Sequence, residues 1–138
     1  MNKKAIITVD SAVLNDEKDM ISVVTPGDFY KVEDGFKVEY DETKISGMEG
    51  TKTTIQIRNN SFDLIREGTT EAKMEFENNK RTVSLYKTPY GVLDIKIDTR
   101  KLNINVNEDG GIINTVYILE IGGQPALQTN LTINIKLN

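Results

Sequence analysis

Along most of the chain apolar and polar residues alternate one by one, the period that sends successive side chains to opposite faces of a strand. The last segment is the clearest: Leu127, Leu131, Ile133, Ile135 and Leu137 share one face, while Asn130, Thr132, Asn134, Lys136 and Asn138 share the other. The same pattern sets Ile55 and Ile57 against Thr54, Gln56 and Arg58, Phe36, Val38 and Tyr40 against Lys37, Glu39 and Asp41, and Met74 and Phe76 against Lys73, Glu75 and Glu77. Between these runs stand pairs that tolerate positive φ: Asp34-Gly35, Asn59-Asn60, Asn78-Asn79, Asp109-Gly110 and Gly122-Gly123. They read as hairpin turns. With no stretch of 3.6-residue periodicity between them, the chain reads as all-β, an antiparallel meander forming a barrel or a sandwich. Helix is limited to a turn or two around residues 41–46.

Two segments depart from plain alternation. In "GVLDIKIDTRKLNINV" the apolar positions are odd-numbered through Ile97 and even-numbered from Leu102 through Ile104 and Val106, so one face flips within residues 98–101. Those four residues hold no Gly, Pro or Asn for a tight hairpin, which favours a β-bulge bending one long ribbon over a plain turn. Ile112 to Ile121 is apolar on both faces, with Ile113, Tyr117, Leu119 and Ile121 opposite Ile112, Val116 and Ile118. Its outer face is therefore expected to lie under another segment, the N-terminal arm or the 41–50 loop.

A length of 138 residues fits one domain over residues 1–138, long enough to bury about 68% of its unfolded surface. Cysteine and histidine are both absent. That removes disulfides, thiolate nucleophiles and cysteine-ligated metals, and with them the one side chain whose ordinary pKa lies near neutrality. An enzyme is accordingly disfavoured, and neither cofactor nor metal motif is present. The formal charge of −4 and pI near 4.9 have the wrong sign for a phosphate backbone, so no nucleic-acid partner is expected. The start "MNKKAIITVD" has only a short apolar patch before Asp10, Asn15, Asp16 and Glu17, unlike a signal peptide, and no apolar run reaches membrane-spanning length. The expected compartment is the cytoplasm, where the sequons at Asn59 and Asn130 carry no meaning.

Few residues offer chemistry. "SGMEGTKTT", residues 46–54, lacks the Gly-Lys-Ser/Thr of a phosphate loop; Gly47 and Gly50 read as a turn and the threonines as the start of a strand, with a loop closing a barrel mouth as the alternative. Asp94, Lys96 and Asp98 read as a solvated row with cross-strand ion pairs, and "NVNEDGG", residues 105–111, as a hairpin tip rather than a calcium loop. Arg66 continues the alternation of Phe62 and Leu64, so its guanidinium points to their face. If that face is interior, Arg66 holds an anionic head group or pairs with a structural carboxylate such as Glu49. Tyr86, Tyr90 and Tyr117 combine an aromatic body with a polar tip and suit a pocket lining, although most such tyrosines are core or rim residues. In "LYKTPYG", Pro89 cannot donate to a ladder and Gly91 frees the backbone, so Thr88 to Gly91 reads first as a bend between strands.

The combination of "GMEGTKTTIQI", "LIREG", "MEFENNK", "SLYKTPYG", "LDIKIDTRKLNINV" and "YILEIGG...NLTINIKL" closely resembles the YwiB-like family, a group of small bacterial proteins. The resemblance covers nearly the whole chain and implies a closed, calycin-like up-and-down barrel of about eight to ten strands. It implies no activity. The chain has no tryptophan, so the Gly-x-Trp signature of true lipocalins is missing. The leading expectation is a non-enzymatic barrel that binds a small apolar or amphipathic ligand, with Arg66, Tyr86, Tyr90 and Tyr117 as lining candidates. The alternative is a barrel with a filled core that acts through its surface, as a homodimer or partner-binding module.

Overall fold

The alternating runs become ten antiparallel strands in a computed structural model that describes residues 2–13, 20–124 and 126–138. In chain order they are β1 (Lys3–Val13), β2 (Met20–Val32), β3 (Gly35–Asp41), β4 (Thr51–Ile57), β5 (Ser61–Gly68), β6 (Glu71–Glu77), β7 (Arg81–Thr88), β8 (Gly91–Asn107), β9 (Gly110–Ile121) and β10 (Leu127–Leu137). Each pairs with its sequence neighbours, and β1 also pairs with β10 from Ala5↔Leu137 to Val13↔Thr129, which closes the meander into a barrel and removes the sandwich alternative. A 3-10 turn, Lys44–Ser46, falls within the expected helical window. The turn pairs sit at hairpins as read. At Gly35, φ is +154° and a Cβ would lie 1.9 Å from the Ile57 carbonyl oxygen, so glycine is required there. Asn79 takes φ 62°, a conformation asparagine tolerates better than other residues with a Cβ.

The face flip within residues 98–101 is a bulge. Thr99 opposes Tyr117 and Lys101 opposes Val116, leaving Arg100 as the extra residue. Ile95, Ile97 and Thr99 therefore face inward on one side of it, and Leu102, Ile104 and Val106 pack inward on the other. The Thr115 hydroxyl donates to the Lys101 carbonyl at 2.7 Å, giving the disturbed ladder a side-chain partner.

The expected cover over β9 is corrected. Residues 3–13 are a barrel strand and no arm, and the 41–50 loop lies at the barrel mouth. Among the described residues β9 packs mainly against β8 and β10. Ile112, Val116 and Ile118 are half-buried on the outer face. They lie opposite Asn134, Asn130 and Gln128 of β10, so neighbouring side chains on the wall supply the cover. The weakest seam is β6–β7, paired only at Glu71↔Lys87 and Ala72↔Tyr86. Beyond it the connecting turn bonds to the bulge instead: the Asn79 amide donates to the Thr99 carbonyl at 2.9 Å and the Thr99 amide to the Lys80 carbonyl at 3.0 Å.

One end of the barrel is filled. Phe29 stacks on Phe36 with centroids 5.3 Å apart, Phe62 stacks on Phe76 at 4.5 Å, and Phe76 meets Tyr117 edge-on at 5.0 Å. Ile7, Val38, Ile55, Ile57, Ile113 and Ile133 fill the space around these rings and are fully buried or nearly so. Each such side chain contributes about 1.5–3 kcal/mol by leaving water.

Candidate functional site

The other end is hollow. Above the Phe76–Tyr117 contact a cavity of about 360 Å³ opens between the mouth-side halves of the strands. The reason lies in side-chain size. Inward positions here carry Val9 and Ser11 on β1 and Val23 on β2, where the lower half carries phenylalanine and isoleucine. Leu64, Leu119 and Ile121 complete an apolar wall, and Ser46 and Met48 of the β3–β4 connection line it as well. Gly47 allows that connection to turn back, with φ +77° at the end of the 3-10 turn.

Into this apolar space β3, β4 and β5 deliver a small polar group. Strand β5 directs Phe62, Leu64 and Arg66 to the same side, and Arg66 ends in the cavity with 17% of its side chain exposed. Its Nε lies 3.8 Å from Glu42 Oε2, within ion-pair range but beyond a hydrogen bond, and Nη1 lies 3.8 Å from the thioether sulfur of Met74. The buried Nε meets no acceptor among the described residues. Glu42, with 3% of its side chain exposed, accepts a hydrogen bond from the Thr53 hydroxyl. Burial pushes the Tyr117 phenol up to about 12, with the Arg66 charge pulling the other way. The Tyr40 phenol is raised well above its ordinary value, chiefly by burial and then by the Glu42 charge. Both rings therefore present neutral hydroxyls at physiological pH.

Of the residues singled out in the sequence, Arg66, Tyr86 and Tyr117 line the cavity together. Tyr90 does not. It is 99% exposed at the β7–β8 hairpin tip, where the Thr88 hydroxyl accepts from its amide at 3.1 Å, so Thr88 to Gly91 is a corner and no part of the cavity wall. The carboxylate beside Arg66 is Glu42, and Glu49 is not its partner. Sequence reasoning passed over Glu42 and Tyr40 as site residues, although alternation from Phe36 through Val38 already gave both the inward parity; for a charged residue just past a strand end, parity alone does not reveal a partner on another strand. The Asp94–Asp98 row is an outer face, with Arg100 3.1 Å and Arg81 3.7 Å from Asp98. In the 105–111 tip, Asn107 Oδ1 accepts from the Asp109 amide at 2.8 Å, as in a hairpin turn.

The cavity can enclose an apolar body and offer hydrogen bonds at one place on its wall. Among the described residues no group of three or more acidic side chains is arranged to hold a metal ion, and no helix is long and apolar enough to cross a membrane.

Known proteins share this architecture. The chain is 24% identical over 139 residues to the uncharacterised β-barrel protein YwiB of Bacillus subtilis (strain 168), covering 99% of this chain and 96% of that protein. The crystal structure of YwiB from Bacillus subtilis superposes with a TM-score of 0.87 at 22% identity, across 99% of this chain and 93% of that one. At that identity the likeness speaks for the fold. The model of the Domain of unknown function DUF1934 matches residues 7–133, nearly the full length, and the chain belongs to that family.

Proposed function

We propose that this protein is a cytosolic, non-enzymatic barrel that holds one small apolar or amphipathic molecule in its mouth. The observation that carries the reading is the contrast inside a single barrel: aromatic packing closes one end, while about 360 Å³ stays open at the other behind an apolar wall with one polar group. That volume lies at the small end of the range for ligand sites, about 300–1,000 Å³. An apolar cavity of this size forgoes the dispersion contacts that a filled core would make, and an occupant restores them. Catalysis finds no support, since Arg66, Glu42, Tyr40 and Tyr117 form no pairing of nucleophile and base.

Native mass spectrometry of delipidated protein incubated with a mixed lipid extract tests the proposal. The expected result is a recurrent one-to-one complex, lost in Ser11→Trp, which puts an indole into the cavity. Recovery of only the bare wild-type protein across repeated extracts would falsify it. A second reading, action through the outer surface as a dimer, draws on Val83, Leu85 and Val92, which lie exposed on the β7–β8 hairpin. Sedimentation over a range of concentrations separates the two, because a monomer throughout removes the dimer.

A further inference from the structure

We infer that the molecule held in the mouth is uncharged at its polar end and presents a carbonyl-type acceptor to Arg66, as an amide, ester or lactone on an apolar body does. This inference rests on the binding reading above and adds the head-group chemistry.

The site has surplus donors but no surplus charge. A guanidinium carries five N–H donors. Among the described residues Arg66 commits one, Nη1, to a thioether, a weak acceptor, while its buried Nε has none. Its positive charge is matched, since the Glu42 carboxylate stands 3.8 Å from Nε and is itself almost wholly withdrawn from water. Glu42 is too far to serve as a hydrogen-bond acceptor for Nε, and its Oε2 already takes the Thr53 hydroxyl. Two further groups face the pair, the Tyr40 and Tyr117 phenols, and both stay neutral. What the guanidinium lacks is acceptor lone pairs within reach of its Nε. A carboxylate head group would provide them, but it would bring a second negative charge beside Glu42 in a site that water screens poorly. A neutral carbonyl gives the guanidinium its acceptor without that conflict, and the remaining wall of Val9, Val23, Leu64, Leu119 and Ile121 asks for an apolar remainder.

Isothermal titration calorimetry with octanamide, octanoate and octanol at neutral pH tests this. Wild-type protein is expected to bind octanamide more tightly than octanoate by about tenfold or more, the scale set by two like charges a few ångströms apart under partial screening. In Glu42→Gln the order should reverse, because the guanidinium then lacks its counter-ion. In Arg66→Met/Glu42→Gln octanamide and octanoate should both bind more weakly than octanamide binds wild type, octanoate the weaker of the two because its charge then has no counter-ion in the cavity, with the fold of each variant checked by its thermal transition. Equal affinities in wild type, a wild-type preference for octanoate, or an order that Glu42→Gln leaves unmoved overturns the head-group inference while leaving the cavity reading standing. If none of the three compounds binds wild type, the cavity reading fails and takes the inference with it.

Discussion

The two halves of the barrel share ten strands and one alternation, yet one is solid and the other hollow. In the solid half β2, β3, β5 and β6 each bring a phenylalanine inward, and the rings stack in pairs between adjacent strands as Phe29–Phe36 and Phe62–Phe76. In the hollow half the same strands bring Val23, Tyr40, Leu64 and Met74, while β1 and β5 bring Ser11 and Arg66. Period two decides which side chains enter a barrel; their volumes decide whether anything is left for another molecule.

That contrast can be broken most forcefully from the solid end. Phe62→Ala removes one ring of a stacked pair from a fully buried position and is expected to cost about 3–5 kcal/mol, read as a lowered urea midpoint. Leu119→Ala, on the half-buried cavity wall, should cost roughly half as much, because it enlarges a space already open. Equal losses would mean that the two ends are packed alike.

Adding volume sharpens the same comparison with smaller effects. Ala5→Leu pushes three carbons into the filled end, where Ala5 is fully buried beside Ile7 and Ile135, and should destabilise by about 1–3 kcal/mol. Ser11→Leu adds similar bulk at the mouth and should stay within about 1 kcal/mol of wild type, because the cavity receives it. Matching penalties in the two variants would refute the hollow mouth.

The smallest effect at neutral pH is expected for Tyr117→Phe, well under about 1 kcal/mol, because it removes one hydroxyl from the cavity lining and leaves the ring packed on Phe76. Its signature is alkaline. Folding raises the Tyr117 phenol from 10.0 to about 12 by burial, so the folded state holds that proton more tightly than the unfolded chain. The stability this contributes is complete below pH 10 and falls away as pH climbs towards 12. Tyr30 on the outer wall shifts to about 12 as well, through its hydrogen bond to Glu39, and adds to the decline. Denaturation at a series of alkaline pH values should show a shallower decline in Tyr117→Phe; an unchanged slope would remove Tyr117 from the account.

Much of this was legible before any coordinates. The hairpin pairs fell at turns, and the parity change between Ile97 and Leu102 marked the bulge at Arg100, because one inserted residue reverses which side chains face inward. Parity also put Arg66 on the face of Phe62 and Leu64. Parity says nothing, however, about height along the barrel axis or about what crosses a mouth. Tyr90 looked like Tyr86 in the sequence, but the hairpin set it at an exposed tip. Glu42, just past the end of β3, drew no notice in the sequence, and only the folded chain shows it buried beside Arg66.

The sequence by itself determined the strands, their turns, their inward faces and the meander, because each follows from interactions among residues near one another along the chain. Closure of β1 on β10, the pairing of Arg66 with Glu42 across β4 and the hollow above Phe76 and Tyr117 were decided only by the tertiary structure. Their physical reason is shared: a curved sheet brings distant residues together and sets the distance across the interior, and whether side chains span that distance is a property of opposing walls, which no single strand encodes.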